Sequence, residues 1–101
     1  MDIVELQLKQ AEYDQKYWQH NASSLEKIRH ITLHMGKLNG KLATYCEAAE
    51  HGADAPAEQI KNEVVPDLLF FALQLANQFG IRLDDQYLKR LADNMKRKYN
   101  I

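Results

Sequence analysis

Apolar residues recur through the middle of the chain at alternating steps of three and four: Ile28, Ile31, Met35, Leu38, Leu42, Tyr45 and Ala49. That spacing keeps one face of an α-helix apolar and predicts a long seam for packing against another helix. Ser23 followed by Glu26 is a capping-box pattern that opens this helix, and Gly52 is placed to end it. An earlier helix is predicted over about 2–19, with Ile3, Leu6, Tyr13 and Tyr17 on one side. After the turn signal Asp54-Ala55-Pro56, a third helix is predicted over about 57–79. Its apolar residues, including Val65, Leu68, Leu69, Phe71, Leu73 and Leu75, surround the axis, so it should be central and buried on several sides. Pro66 removes a backbone donor and disfavours helical geometry at Val65, which predicts a kink or restart beside Asp67. Gly80 is placed to stop this helix, and Asp84 to cap a last one that presents Leu88, Leu91 and Met95.

Strand-type alternation is absent, and only four glycines and two prolines punctuate the chain, so the expected class is all-α, one domain over 1–101. An apolar share of 46% with 27% charged residues is globular composition and argues against disorder. A chain of 101 residues buries only a small core, which a second copy would enlarge. Thirteen basic and fourteen acidic side chains nearly cancel, so no bulk field favours DNA or an anionic membrane, and a charged ligand must be held locally. The longest apolar run, 64–76, is too short to span a bilayer and is interrupted by Pro66, Asp67 and Gln74. Cys46 is the only cysteine, which excludes an intrachain disulfide. With a start that lacks the blocks of a secretion signal, the expected location is cytoplasmic.

From Tyr17-Trp18-Gln19-His20, through Gly40-Lys41-Leu42-Ala43 and Asp67-Leu68-Leu69-Phe70-Phe71-Ala72-Leu73-Gln74-Leu75-Ala76, to the stretch from Arg90 to Tyr99 with Asn94, the chain resembles the MazG-like all-α nucleotide pyrophosphohydrolases. The resemblance spans most of the chain. It implies a four-helix bundle completed by self-association into a dimer or tetramer. It also implies a Glu-x-x-Glu pair and a Glu-x-x-Asp pair on successive helices, holding Mg²⁺ against a nucleoside triphosphate that is cut to monophosphate and pyrophosphate. Hard Mg²⁺ prefers oxygen ligands, and carboxylates three apart on a helix share a face.

The departures from that pattern change the expectation. Lys41 occupies the second carboxylate position of the first pair, and its partner falls on Leu38, or on Lys37 with a one-residue shift. In the second pair Asp67 matches, but Val64 stands at the glutamate position and Glu63 matches only an additional acid beside it. Unit charges about 4 Å apart interact by about 4 kcal/mol at an effective dielectric of about 20, so an ammonium there repels Mg²⁺ about as strongly as a ligand attracts it. The expectation is a degenerate member, with no cofactor, that binds a nucleotide, another phosphate ligand or a protein partner and has weak or lost hydrolysis. The alternative slides the register by nine residues so that Glu47, Glu50, Glu63 and Asp67 form a Mg²⁺ site in an active enzyme. A third reading is a structural oligomerisation module.

His30, His34, Lys37 and Lys41 lie on one flank of the Leu38 seam and form a candidate basic strip for phosphate. The competing reading pairs Lys37 and Lys41 with Glu63 and Asp67. Two histidines alone are too few to hold zinc. Trp18 resembles an aromatic near the family's base pocket, and also suits a bundle core. Arg90 and Asn94 match positions that reach phosphate in the family. Gly36 and Gly40 share a face and suggest close approach of another helix. Cys46 has no activating base nearby in the sequence.

Overall fold

The computed structural model describes residues 1–18 and 22–99, with side chains through Arg97. Gln19 and His20, in the predicted end of the first helix, and the side chain of Tyr99 lie outside the described residues. Four helices follow one another: α1 (Ile3–Tyr17), α2 (Ser24–Glu50), α3 (Ala57–Gln78) and α4 (Leu83–Tyr99). Among the described residues there is no strand, and no single helix is long and apolar enough to cross a membrane.

Local chemistry sets the helix ends. Asp2 Oδ1 accepts from the Glu5 amide at 2.8 Å to start α1, and Ser23 Oγ accepts from the Glu26 amide at 3.2 Å to start α2. Each satisfies an amide that the first turn leaves without a helical partner. Gly52 and Gly80 follow α2 and α3 in the left-handed region, at φ 70° and 64°, where a side chain would crowd its own backbone.

α1 and α2 both pack along the second part of α3. The core is narrow: Ile31 and Leu38 from α2, and Val64, Leu73 and Ala76 from α3. Two expectations need correction. Ala49, the last position of the α2 seam, is exposed, and α3 is not covered on every side, since Val65 and Leu69 are 56% and 41% exposed. The reason is geometric, because two neighbours cannot enclose a helix that is apolar all round.

The regular helix restarts beside Asp67 as expected, but Val65 keeps the helical geometry that Pro66 was expected to disfavour. Val65 stays helical, at φ −62° and ψ −50°, and Pro66 lies in the first turn of the stretch Val65–Gln78. The adjustment falls one turn earlier, where Ile60–Val64 widens into a π-helical turn and the Val65 amide donates to the Ile60 carbonyl. A missing donor is tolerated at the start of a regular stretch, and the wide turn absorbs the change of register.

α4 leaves α3 at an angle of 105° and packs chiefly on α1. Its start is held from α1 by Gln7, whose Oε1 accepts from the Leu83 amide at 2.9 Å and whose Nε2 donates to the Ile81 carbonyl at 2.9 Å. Asp84, the expected cap, lies inside the first turn instead and accepts from Arg82 at 2.9 Å, which holds its carboxyl below the usual range. Farther along, Leu88, Leu91 and Met95 are exposed. The radius of gyration is 16.5 Å, against about 13 Å for a compact domain of this length.

Candidate functional site

Residues one helical turn apart share a face, and three such faces converge on a cleft of about 260 Å³. α1 supplies Tyr13, Asp14 and Tyr17, with Trp18 just beyond its end. α2 supplies His30 and His34, and α3 supplies Phe70, Phe71 and Gln74.

The rings form a continuous path around this cleft. Trp18 and His30 have centroids 5.7 Å apart, His30 and His34 4.4 Å, and His34 stacks on Phe71 at 5.4 Å with planes 20° apart. Phe70 meets Phe71 edge-on at 5.2 Å and Tyr13 edge-on at 5.4 Å, and Tyr13 lies 5.0 Å from Tyr17. Offset and edge contacts of this kind are the arrangements that aromatic pairs prefer. Outside the path, the Lys27 ammonium lies 5.7 Å from the centre of the Trp18 ring.

The polar end is anchored by Asp14. Its Oδ1 accepts from Gln10 Nε2 at 3.0 Å and from Gln74 Nε2 at 2.7 Å. An ionised carboxylate only accepts, which fixes the Gln74 amide with its oxygen turned away from Asp14. That oxygen, Oε1, is buried without a hydrogen-bond partner among the described residues. Burial, then repulsion from His30 and Lys37, lowers the His34 pKa from its ordinary value.

Lys37 and Lys41 continue the His30 and His34 face of α2, with Lys41 about 10 Å beyond His34 along the axis. Both are exposed, and among the described residues neither forms an ion pair with Glu63 or Asp67. The structure therefore gathers Trp18, His30 and His34, with the two lysines on the same helix face. It does not bring Arg90 and Asn94 to the cleft within one chain. Both lie exposed on α4, where Asn94 Oδ1 accepts from Arg97. Among the described residues a Cβ at Gly36 or Gly40 would meet nothing within 4 Å, so none of the described helices makes the close approach expected there. Cys46 is exposed with a free thiol.

Glu47 and Glu50 are exposed at the end of α2, Glu63 is exposed on the π-helical turn, and Asp67 is half-buried at the start of the regular part of α3. Among the described residues no three His, Cys, Asp or Glu side chains gather to hold a metal. Among the described residues of a single chain the oxygen donors therefore do not gather as Mg²⁺ requires, with several oxygens at about 2.1 Å.

Asp14, Tyr13, Phe70, Phe71 and Gln74 were not singled out as site residues from the sequence. The available signal was Gln74, a polar residue in the apolar run Leu68-Leu69-Phe70-Phe71-Ala72-Leu73-Gln74-Leu75-Ala76, only 4% exposed in the fold. No family model, no curated protein and no solved structure matches the chain.

Proposed function

We propose that the chain is a degenerate MazG-like protein that binds a nucleotide, with weak or lost hydrolysis. The base stacks in the aromatic cleft and the phosphates run along the basic face of α2. The observation that carries this reading is the meeting of Trp18, His30, His34 and Phe71 around one cleft, on the helix face that continues through Lys37 and Lys41. Stacking on aromatic rings contributes about 1–3 kcal/mol per base, and lysines supply charge for phosphate.

The test is thermal stabilisation by nucleoside triphosphates in the presence of a chelator. A rise of several degrees, lost on Trp18→Ala and His34→Ala, is expected. No rise with any nucleotide would sink the reading. Incubation with Mg²⁺ or Mn²⁺ should release little monophosphate. Robust release that disappears on Glu50→Ala and Asp67→Ala would instead establish an active pyrophosphohydrolase using Glu47, Glu50, Glu63 and Asp67.

We also infer that the protein works as a homo-oligomer. The exposed stripe Leu88, Leu91 and Met95 on α4, together with Val65 and Leu69 on α3, supports this, as does a radius of gyration too large for a self-contained bundle of this length. A second copy covering these faces would complete the bundle. Sedimentation at micromolar concentration distinguishes monomer, dimer and tetramer.

A further inference from the structure

Charge is divided unevenly along the chain. Residues 47–67, which close α2 and open α3, hold six carboxylates and one lysine, whereas residues 86–98 of α4 hold five basic side chains and one acid, Asp93. Among the described residues neither segment is neutralised within the chain. The one ion pair inside them joins Glu58 to Lys61 on the surface, and the other two pairs hold Arg82 against Asp84 and Asp85.

Each segment also carries apolar side chains that its own chain leaves uncovered. Val65 and Leu69, four apart, share a face of α3, and Leu88, Leu91 and Met95, at steps of three and four, share a face of α4. A helix of about 12–15 residues is marginal alone in water, so α4, exposed from Asp85 through Arg97, depends on something beyond its own chain.

The fold keeps the two surfaces apart. At about 1.5 Å per residue α3 is about 33 Å long and α4 about 25 Å. With 105° between them, the basic end of α4 stands more than about 30 Å from the acidic start of its own α3, several Debye lengths away at physiological salt. Two such bent chains related by a two-fold axis can each lay α4 across the other's α3, and one contact made twice closes the pair.

We propose that the protein forms a closed two-fold dimer in which α4 of each copy docks on the start of the other's α3. Leu88, Leu91 and Met95 cover Val65 and Leu69, and the basic residues of α4 face the carboxylates of 47–67. The proposal rests on the homo-oligomer reading above and adds which faces meet and what orients them. Opposite charge steers this encounter and rejects the alternatives, because two α3 starts would set acid against acid and two α4 helices base against base.

The experiment is sedimentation of the full chain at about 0.05 M and about 0.5 M salt, repeated on two charge reversals at exposed positions, Lys96→Glu with Arg97→Glu on α4 and Glu58→Lys with Glu63→Lys on α3. The wild type should sediment as a dimer whose dissociation constant rises with salt. Each reversal alone should raise that constant by at least about ten-fold at low salt. Mixing the two reversed proteins should restore a dimer, since both contacts of the mixed pair again join acid to base. A wild-type assembly that the α3 reversal does not weaken leaves self-association standing and overturns the docking on α3. Weakening by both reversals without rescue on mixing overturns the pairing of these two faces, and species that lengthen steadily with concentration overturn the two-fold closure. A wild type that stays monomeric removes the homo-oligomer reading and this one together, and its capture by phosphatidylserine vesicles would then give α4 to an anionic membrane surface. Should a reversal lose helicity, glutamine at the same positions should weaken association in the same direction, and no weakening overturns the proposal.

Discussion

Asn77 Nδ2 donates to the Gln7 carbonyl at 2.9 Å while Asn77 Oδ1 accepts from Gln7 Nε2 at 3.2 Å, a two-way exchange across 70 residues of sequence. Gln7 also holds the Leu83 amide and the Ile81 carbonyl, so one side chain ties α1 to the end of α3 and the start of α4. Gln7→Ala removes three hydrogen bonds and leaves the Leu83 amide without its cap. At about 0.5–1.5 kcal/mol each, the expected loss is about 2–3 kcal/mol by urea unfolding. Combined with Asn77→Ala, the two losses should add to less than their sum by about 1 kcal/mol.

The His34 pKa is lowered in the fold, first by burial and then by His30 and Lys37. The unfolded chain therefore takes up this proton more readily than the folded one between 6.5 and the lower folded value. Stability from this group is full above 6.5 and declines as pH falls through that window. The imidazole is only half-buried, so the effect is small. His34→Gln should flatten the fall in melting temperature between about pH 7 and 5.5. An unchanged slope would assign it to other groups.

Lys37 and Lys41 are without carboxylate partners among the described residues, so their charge is available to a ligand. Replacing both by Gln should weaken triphosphate binding by about ten-fold at low salt and make its salt dependence shallower. Equal affinity with an unchanged salt slope would place the phosphates elsewhere.

Leu91 lies on the exposed stripe of α4 and is 43% accessible. If a second copy covers that stripe, Leu91→Asp should shift the sedimenting species towards monomer and lower the melting temperature by several degrees. An aspartate there that leaves both the mass and the melting temperature unaltered would mean the stripe stays in water.

Gly36 occupies the middle of α2, and a Cβ there would meet nothing within 4 Å. Gly36→Ala should therefore stabilise by about 0.5–1 kcal/mol through helix propensity alone. A decrease would mean that another chain packs against this face.

The elements legible in the sequence were those fixed by local chemistry. Asp54-Ala55-Pro56, Ser23 with Glu26, and the glycines after α2 and α3 marked helix ends because caps and left-handed turns depend on neighbouring residues. Asp84 was misleading for the same reason, since a carboxylate near a helix start looks like a cap, while the helix already begins at Leu83, the Gln86 amide donates to the Arg82 carbonyl, and Gln7 holds the Leu83 amide from far away in sequence. At the site, Trp18, His30 and His34 were legible as candidates, and the structure places them together. Their neighbours Asp14 and Gln74 were not, because a polar pair joined over 60 residues has no signature in either helix alone. The apolar surround of α3 predicted burial correctly for Leu73 but not for Val65 and Leu69, because periodicity counts the faces a helix offers and not the neighbours present to cover them.

The wide turn over Ile60–Val64 accommodates an extra residue, so side chains before it are rotated by roughly 100° from where an unbroken α-helix would carry them relative to those after it. Spacing counted along the letters therefore misstates the angle between Glu58, which precedes the turn, and Asp67, which follows it. Deleting a single residue within this turn would act as a rotary adjustment of those two carboxylates, leaving Asp67 and everything beyond it in place while dialling Glu58 to a new bearing about the axis.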